Sequence, residues 1–406
     1  MSRRVVITGA GLVSALGDSS ESLFAALCEG RRAHAPIQGI DTSGLKSRTG
    51  AAIQGFVEKT YLGVKNMRPY DRTARLVLAA ARLASDSATL TIDDLKQREA
   101  GLVLGTMFCS VRTIAEFDRR AITAGVEYAS VMDFANTVIN AAAGQTAIWY
   151  GLRGLNATIC GGLASGLQAL GYAADMIRLG RSSLIYAGGG EEFSFEGLLG
   201  FERAGWLSTE AECPVPFDSR RDGMVLGEGA ALLVLEDSDS AAARGAVVKG
   251  EILGHATGFD RSRGKDVQTG AAALERCIRG AMAEARVEPA SIGLVSVSAN
   301  GSTTSDQAEA LAIGAALNSR AAAVPVMAVK AALGEPVGAG GALQTIAAIE
   351  AMRQGSVPGI TGLAETGDSF PLGAVSAFTG PLQASTALIT SQGLDGNCCA
   401  LIVRGT

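Results

Sequence analysis

Short, unbroken apolar runs alternate with longer stretches of helical periodicity along most of the chain. This is the pattern of strands covered on both faces by amphipathic helices. Residues 4–15 read as a strand, Val5 to Thr8, running into a glycine turn at Gly9 and Gly11, and residues 18–29 read as a helix. Leu76, Ala79, Ala80, Leu83 and Ala84 recur at helical spacing, so residues 71–90 are predicted helical. A buried strand over 100–106 precedes an amphipathic helix over 111–124, with Arg119 and Arg120 on its wet side. Residues 135–151 form a further predicted helix, in which Asn136, Asn140 and Gln145 sit among alanines. After a strand and a turn at 156–166, Leu163, Leu167, Leu170, Ala174 and Ile177 share one helical face, and Ala164, Ala169, Ala173 and Met176 make the others nearly as apolar. A helix of that kind is buried all round. Residues 183–190 are a strand entering glycines, and a charged, glycine-rich loop over 217–230 leads into the strand 231–235.

The alternation then repeats. Strands are predicted near 247–258, 292–297, 324–329, 384–390 and 398–403, with helices over 270–285, 305–317 and 338–354. The fold class is therefore α/β, with mainly parallel sheets between helix layers. The two halves, 1–245 and 246–406, look like loose copies. At 406 residues and 48% hydrophobic content the chain can bury a large core.

A net charge of −5 and no dense basic run argue against nucleic acid as a partner. No apolar stretch approaches the ~18–20 residues of a membrane span, and Met1 to Arg4 lead straight into a strand without a signal-peptide core. A cytoplasmic protein is expected. The seven cysteines (Cys28, Cys109, Cys160, Cys213, Cys277, Cys398 and Cys399) show no Cys-x-x-Cys spacing and read as reduced, buried small residues. No metal or cofactor is expected, and His34 and His255 read as structural or solvated.

Chemistry concentrates at the turn Asn156 to Gly166. A residue in the first turn of the buried helix meets unpaired N–H groups and the positive end of the helix dipole, a setting that favours a thiolate and later an oxyanion. Leu163 stands there, and a leucine has no lone pair to offer. The nearest thiol is Cys160, three residues upstream, which leaves an atypical acyltransferase using a displaced nucleophile as the enzymatic alternative. With an ordinary thiol pKa of roughly 8.5, only about 3% of Cys160 would be thiolate at pH 7. A dinucleotide site at Gly9 and Gly11 is a third reading, weakened by Ser14 in place of the third small residue. In the loop 217–230, Asp218, Arg220, Arg221 and Asp222 read as hydrogen-bonding to one another and to backbone.

Three long motifs occur in order: Tyr150-Gly-Leu-Arg-Gly154, Pro216-Phe-Asp-Ser-Arg-Arg-Asp-Gly-Met-Val-Leu-Gly-Glu-Gly229 and Lys330-Ala-Ala-Leu-Gly-Glu-Pro-Val-Gly-Ala-Gly-Gly341. Together they resemble the ketosynthase family of the thiolase fold over nearly the whole chain. That resemblance implies a layered αβαβα architecture of two pseudo-repeated halves. It also implies decarboxylative condensation by a cysteine, two histidines and a supporting lysine. The cysteine position falls on Leu163, the histidine positions on Asn300 and Glu335, and only Lys330 is kept. Leu394 stands where a gating phenylalanine is placed in active members.

By this resemblance the chain is similar to the chain-length factor (ketosynthase β) of type II polyketide systems. It would lack catalytic activity of its own and form a heterodimer with a catalytic ketosynthase subunit. An acyl carrier protein would dock mainly on that partner. Aromatic-polyketide members carry glutamine at the position of Leu163, so the departure brings a polyene-type system level with an aromatic one. Ser110, Thr113 and Phe117 match positions that limit chain length, with Phe117 as the tunnel floor or, alternatively, ordinary helix core. Phe108 and Phe134 rank second to it.

Overall fold

Ten strands and nine of the longer helices account for the predicted alternation. The strands are β1 (Val5–Ser14), β2 (Gly101–Gly105), β3 (Asn156–Ile159), β4 (Leu184–Glu191), β5 (Gly229–Asp237), β6 (Gly250–Phe259), β7 (Leu294–Ser296), β8 (Val326–Met327), β9 (Thr386–Gln392) and β10 (Asn397–Gly405). The helices are α1 (Ser20–Cys28), α2 (Arg72–Ala88), α3 (Val111–Ala124), α4 (Ala141–Tyr150), α5 (Ser165–Arg178), α6 (Phe195–Arg203), α7 (Val267–Ala285), α8 (Thr303–Leu317) and α9 (Gly340–Gln354). The computed structural model describes residues 3–63, 66–209, 215–367, 370–373 and 375–406. Cys213, read as a buried thiol, lies outside the described residues.

All ten strands join one sheet in the order β8-β7-β9-β10-β6-β1-β5-β4-β2-β3. Counted from either outer edge, each half runs third, second, fourth, fifth, first in its own chain order. The halves are thus topological copies, joined where β1 pairs antiparallel with β6. The expectation of mainly parallel sheets is corrected. Parallel pairing is confined to β2 with β3 and β4, and β7 with β8 and β9, whereas β1, β5, β6 and β10 pair antiparallel. The strands look parallel in sequence because they are apolar on both faces, and helix layers on both sides demand this whatever the strand direction.

Strand periodicity sorts side chains between layers. Ile185 and Ala187 of β4, with Leu401 and Val403 of β10, point inward onto α5 and α9, which form the central layer of the core. Leu184 and Tyr186 face α2 on one outside. Ala400 and Ile402 face α7 and α8 on the other. The result is the expected αβαβα stack.

The glycine turn expected within residues 4–15 is absent. β1 runs unbroken through Gly9 and Gly11, with a bulge between Ile7 and Gly9. A Cβ on Gly11 would lie 2.1 Å from the Ala84 backbone nitrogen and 2.2 Å from the Ala80 carbonyl oxygen. These glycines let α2 lie directly on β1, and no loop opens here to cradle a dinucleotide. Helix α4 starts at Ala141, six residues later than predicted. Asn136, expected inside it, instead donates Nδ2 to the Pro69 carbonyl at 2.9 Å and accepts from Gln145. Among the described residues, no helix is long and apolar enough to cross a membrane.

Candidate active site

β3 ends at Ile159, Cys160 and Gly161 follow, and a 3-10 turn over Gly162–Ala164 delivers the chain into α5. Gly162 is left-handed, with φ +59°, and Leu163 is fully buried among Phe193, Phe201, Met224 and Val337. The Leu163 N–H donates to Asp395 Oδ2 at 3.2 Å, and its carbonyl accepts from Ser391 Oγ at 3.3 Å. The β9–β10 loop therefore closes over the 3-10 turn that leads into α5. A Cβ on Gly166 would lie 2.2 Å from the Gly338 carbonyl oxygen, so α5 also abuts the turn after Glu335. In that turn Val337 holds φ +48°, a strained position for a β-branched residue. Cys160 is exposed. What burial it has pushes its thiol pKa up, and the Glu191 carboxylate adds to the rise, so the thiolate is disfavoured.

Beside this turn lies a buried polar cluster. Lys330 Nζ pairs with Glu335 Oε2 at 2.7 Å, with both side chains at most 1% exposed. Asn300 Nδ2 donates to the same oxygen at 2.8 Å and points at Met224 Sδ at 3.6 Å, while the Val337 N–H donates to Glu335 Oε1 at 3.1 Å. Taken alone, Asn300 reads as a free donor and Glu335 as an uncompensated charge. The structure instead commits the Asn300 amide to Glu335 and balances Glu335 with Lys330.

Asp306 fixes the Asn300 loop by accepting from the Asn300 N–H at 3.0 Å and from the Phe217 N–H at 3.2 Å, with Arg221 Nε 3.7 Å away. Burial pushes the Asp306 carboxyl up to about 7 despite Arg221. Glu309 accepts from Ser298 and Thr390, and its burial raises its pKa while Lys330 opposes the rise. Asp218 binds Arg220, and Asp222 binds Ser208 and Thr209, so this loop is a hydrogen-bonded brace.

Leu163, Asn300, Glu335 and Lys330 are thus brought together around Met224 and Val337. Ser110, Thr113 and Phe117 lie apart. Ser110 is fully buried just before α3, and its hydroxyl donates to Asp71. Thr113 and Phe117 are half-buried on α3, a helix with no fully buried residue, and Phe117 meets the Phe134 ring at 6.0 Å. Phe108 packs on Phe201 at 5.5 Å and joins the start of α3 to the apolar cluster around Leu163. Glu191 anchors this segment by accepting the N–H groups of Met107, Phe108 and Cys109.

Sequence reasoning misses Asp395, Asp306, Glu191 and Glu309, because a carboxylate in a polar motif reads as solvated until the tertiary fold buries it. His255 Nε2 lies 3.0 Å from Asp175, and with Glu284 they make a group that could hold a metal ion. Arg178 already pairs with Glu284 at 2.6 Å there. A cavity of about 580 Å³ opens outside the Leu163 turn, between Trp206, Arg263, Lys265 and Thr304, with Leu394 and Asp395 as its inner wall.

Residues 2–241 match the model of the β-ketoacyl synthase N-terminal domain, and residues 249–364 match the C-terminal domain. The chain belongs to the β-ketoacyl synthase family. The 3-oxoacyl-[acyl-carrier-protein] synthase 2 of Coxiella burnetii is 29% identical over 99% of this chain and 98% of its own. The tetracenomycin polyketide synthase ketoacyl synthase beta subunit of Streptomyces glaucescens is 33% identical over 98% of each chain. The solved structure of the ishigamide ketosynthase/chain length factor aligns over the whole of both chains with a TM-score of 0.92 at 29% identity.

These relatives correct the expectation that the chain has no activity of its own. Full-length relatives carry the name of synthases, and Leu163 shows only that its own position holds no nucleophile. Lys330 and Glu335 form a buried ion pair, and the Cys160 thiol is exposed three residues before Leu163.

Proposed function

We propose that this β-ketoacyl synthase family member works as one subunit of a two-chain ketosynthase that builds an acyl or polyketide chain on an acyl carrier protein. It pairs with a catalytic ketosynthase and shapes the tunnel in which the product lies. The observation that carries this reading is an uncovered apolar face. Ile122, Val126 and Val131, at the end of α3 and just beyond it, are 79–89% exposed, and Phe134, whose ring meets Phe117 of α3, is 64% exposed. An apolar patch of this kind, on a chain with a large buried core, marks a protein interface. The outermost strand β3 lies beside it in sequence; among the described residues nothing pairs with its outer edge, and the buried Thr158 hydroxyl finds no partner.

In this reading Thr113 and Phe117, on the same uncovered helix, lie where the partner's product channel meets this chain. Product length is the direct readout. Co-expression with a ketosynthase that keeps its cysteine and histidines gives a one-to-one complex, which Ile122→Asp with Val131→Asp disrupts without lowering the Tm of the isolated chain. Phe117→Ala lengthens the product and Phe117→Trp shortens it. Unchanged length in both removes Phe117 from the channel, and a chain that never pairs overturns the reading.

The synthase relatives and the exposed Cys160 support a second reading, condensation by this chain through Cys160. Incubation with an acyl carrier protein thioester and intact-mass analysis decides it, because an acyl adduct on Cys160 is required.

A further inference from the structure

The Leu163 N–H, in the 3-10 turn that leads into α5, is already occupied. Asp395 Oδ2 accepts it at 3.2 Å, while Oδ1 accepts the Asn397 N–H at 2.9 Å. The carboxylate lies flat against the turn: a Cβ on Gly162 would sit 1.3 Å from Oδ2, and a Cβ on Gly393 would sit 2.4 Å from Oδ1. Only glycine at both positions leaves room for it.

On its outer side Asp395 forms, with Leu394, the inner wall of the cavity of about 580 Å³. On its inner side Leu163 is fully buried. The cavity itself carries hydroxyls at Ser302 and Thr304 and the cations Arg263 and Lys265. Its mouth therefore suits a polar or anionic arm, while its floor presents a carboxylate. An anionic acyl group reaching that floor meets repulsion from Asp395 in its ionised form, while burial, with Glu335 adding to it, raises the Asp395 pKa.

We propose that Asp395 is a specificity-determining plug: it holds the Leu163 N–H in place of a thioester oxygen, closes the cavity from the turn, and turns away acyl groups that carry a carboxylate more strongly than neutral ones. Two effects are combined, a steric one from the side chain and an electrostatic one from its charge. The inference rests on family membership and the geometry of the turn, not on pairing with a second subunit, so failure of the pairing reading leaves it standing.

Leu163→Cys places a reporter thiol at the turn. Its alkylation by neutral iodoacetamide and by anionic iodoacetate is followed by peptide mass mapping, with Cys160 labelling as the internal reference. With Asp395 present, the introduced thiol labels slowly with both reagents and disfavours iodoacetate. Adding Asp395→Gly raises both rates at least tenfold and brings the two reagents to within about threefold of each other. Adding Asp395→Asn, which keeps the shape and removes the charge, relieves the discrimination but leaves labelling slow. Equal rates with and without Asp395 overturn the plug, and unchanged discrimination in Asp395→Asn overturns its electrostatic part. Should Leu163→Cys fail to fold, amide hydrogen exchange at Leu163 in the otherwise unaltered chain gives the same decision. Asp395→Gly accelerates it at least tenfold if the carboxylate is the lid on that N–H, and an unchanged rate overturns the proposal.

Discussion

Lys330→Met isolates the energetics of the buried cluster. The substitution keeps most of the side-chain volume and removes the ammonium, leaving Glu335 with two neutral donors, Asn300 Nδ2 and the Val337 N–H, and, among the described residues, no opposite charge within bonding distance. Both members of the pair are inaccessible to water, so the charge left behind cannot be rehydrated. Breaking a buried pair from one side costs ~3–5 kcal/mol. For 406 residues the unfolding entropy is on the order of 0.85 kcal/mol/K, from ~2.1 cal/mol/K per residue, so the expected fall in Tm is ~4–6 °C. Glu335→Gln exposes Lys330 to the mirror-image loss, softened by Glu309, whose buried carboxylate also acts on Lys330. The double variant Lys330→Met with Glu335→Gln removes both charges and regains at least half of the summed loss. Differential scanning calorimetry of the four proteins measures the coupling. Strictly additive losses, or a fall below ~1 °C in each single variant, would refute a buried ion pair as the element holding Asn300 and the Val337 turn together.

Two further outcomes follow from the packing. Glu192 accepts the Arg112 N–H at the start of α3, and burial pushes its carboxyl up to about 8, with Asp71 reinforcing the shift. Its proton is bound more tightly in the folded chain, so the stability it contributes is full below the ordinary glutamate range and is lost as pH rises toward about 8. Glu192→Gln does not titrate, and its Tm advantage over the parent should grow between pH 5 and 8.5 to the equivalent of ~4 kcal/mol; a pH-independent offset contradicts this. Gly11→Ala drives a Cβ into the α2 backbone and should lower Tm by several degrees or prevent folding, with no change in dinucleotide binding by calorimetry, since none is expected in the parent.

The framework is more legible in the sequence than the chemistry around it. Helix α3 occupies the predicted residues 111–124, because its charged face and its apolar face are both written in local periodicity. Helix α6 escapes prediction, although Ser194 caps it through the Gly197 N–H; its short, glycine-containing stretch carries little helical pattern. Gly9 and Gly11 mislead because the same residue serves a turn and a close helix approach, and only the partner helix distinguishes them. Leu163, Asn300, Glu335 and Lys330 are legible because motif order places them. Asp395 is not, since nothing in Leu394-Asp395-Gly396 announces that the β9–β10 loop folds back onto a turn more than 200 residues away.

The residues at this site form one electrostatic unit. With a lysine and two neutral imidazoles, as the resemblance implies for condensing members, the pocket would carry a formal charge of +1 and could receive an oxygen that turns negative. Here Lys330 is neutralised by Glu335, Asn300 contributes nothing, and Asp395 brings the local sum to −1 when ionised. Each change alone would leave a buried group without its complement, at a cost of ~1–3 kcal/mol for a polar group and more for a charge. Together they satisfy one another: the amide donates to the carboxylate, the carboxylate pairs with the ammonium, and the backbone N–H of Leu163 finds an acceptor in Asp395. Glu335→His would therefore free Lys330 without freeing the Leu163 N–H. In the plug proposal an oxygen reaches the Leu163 N–H only once Asp395 has left it, which makes Asp395 the residue to change first.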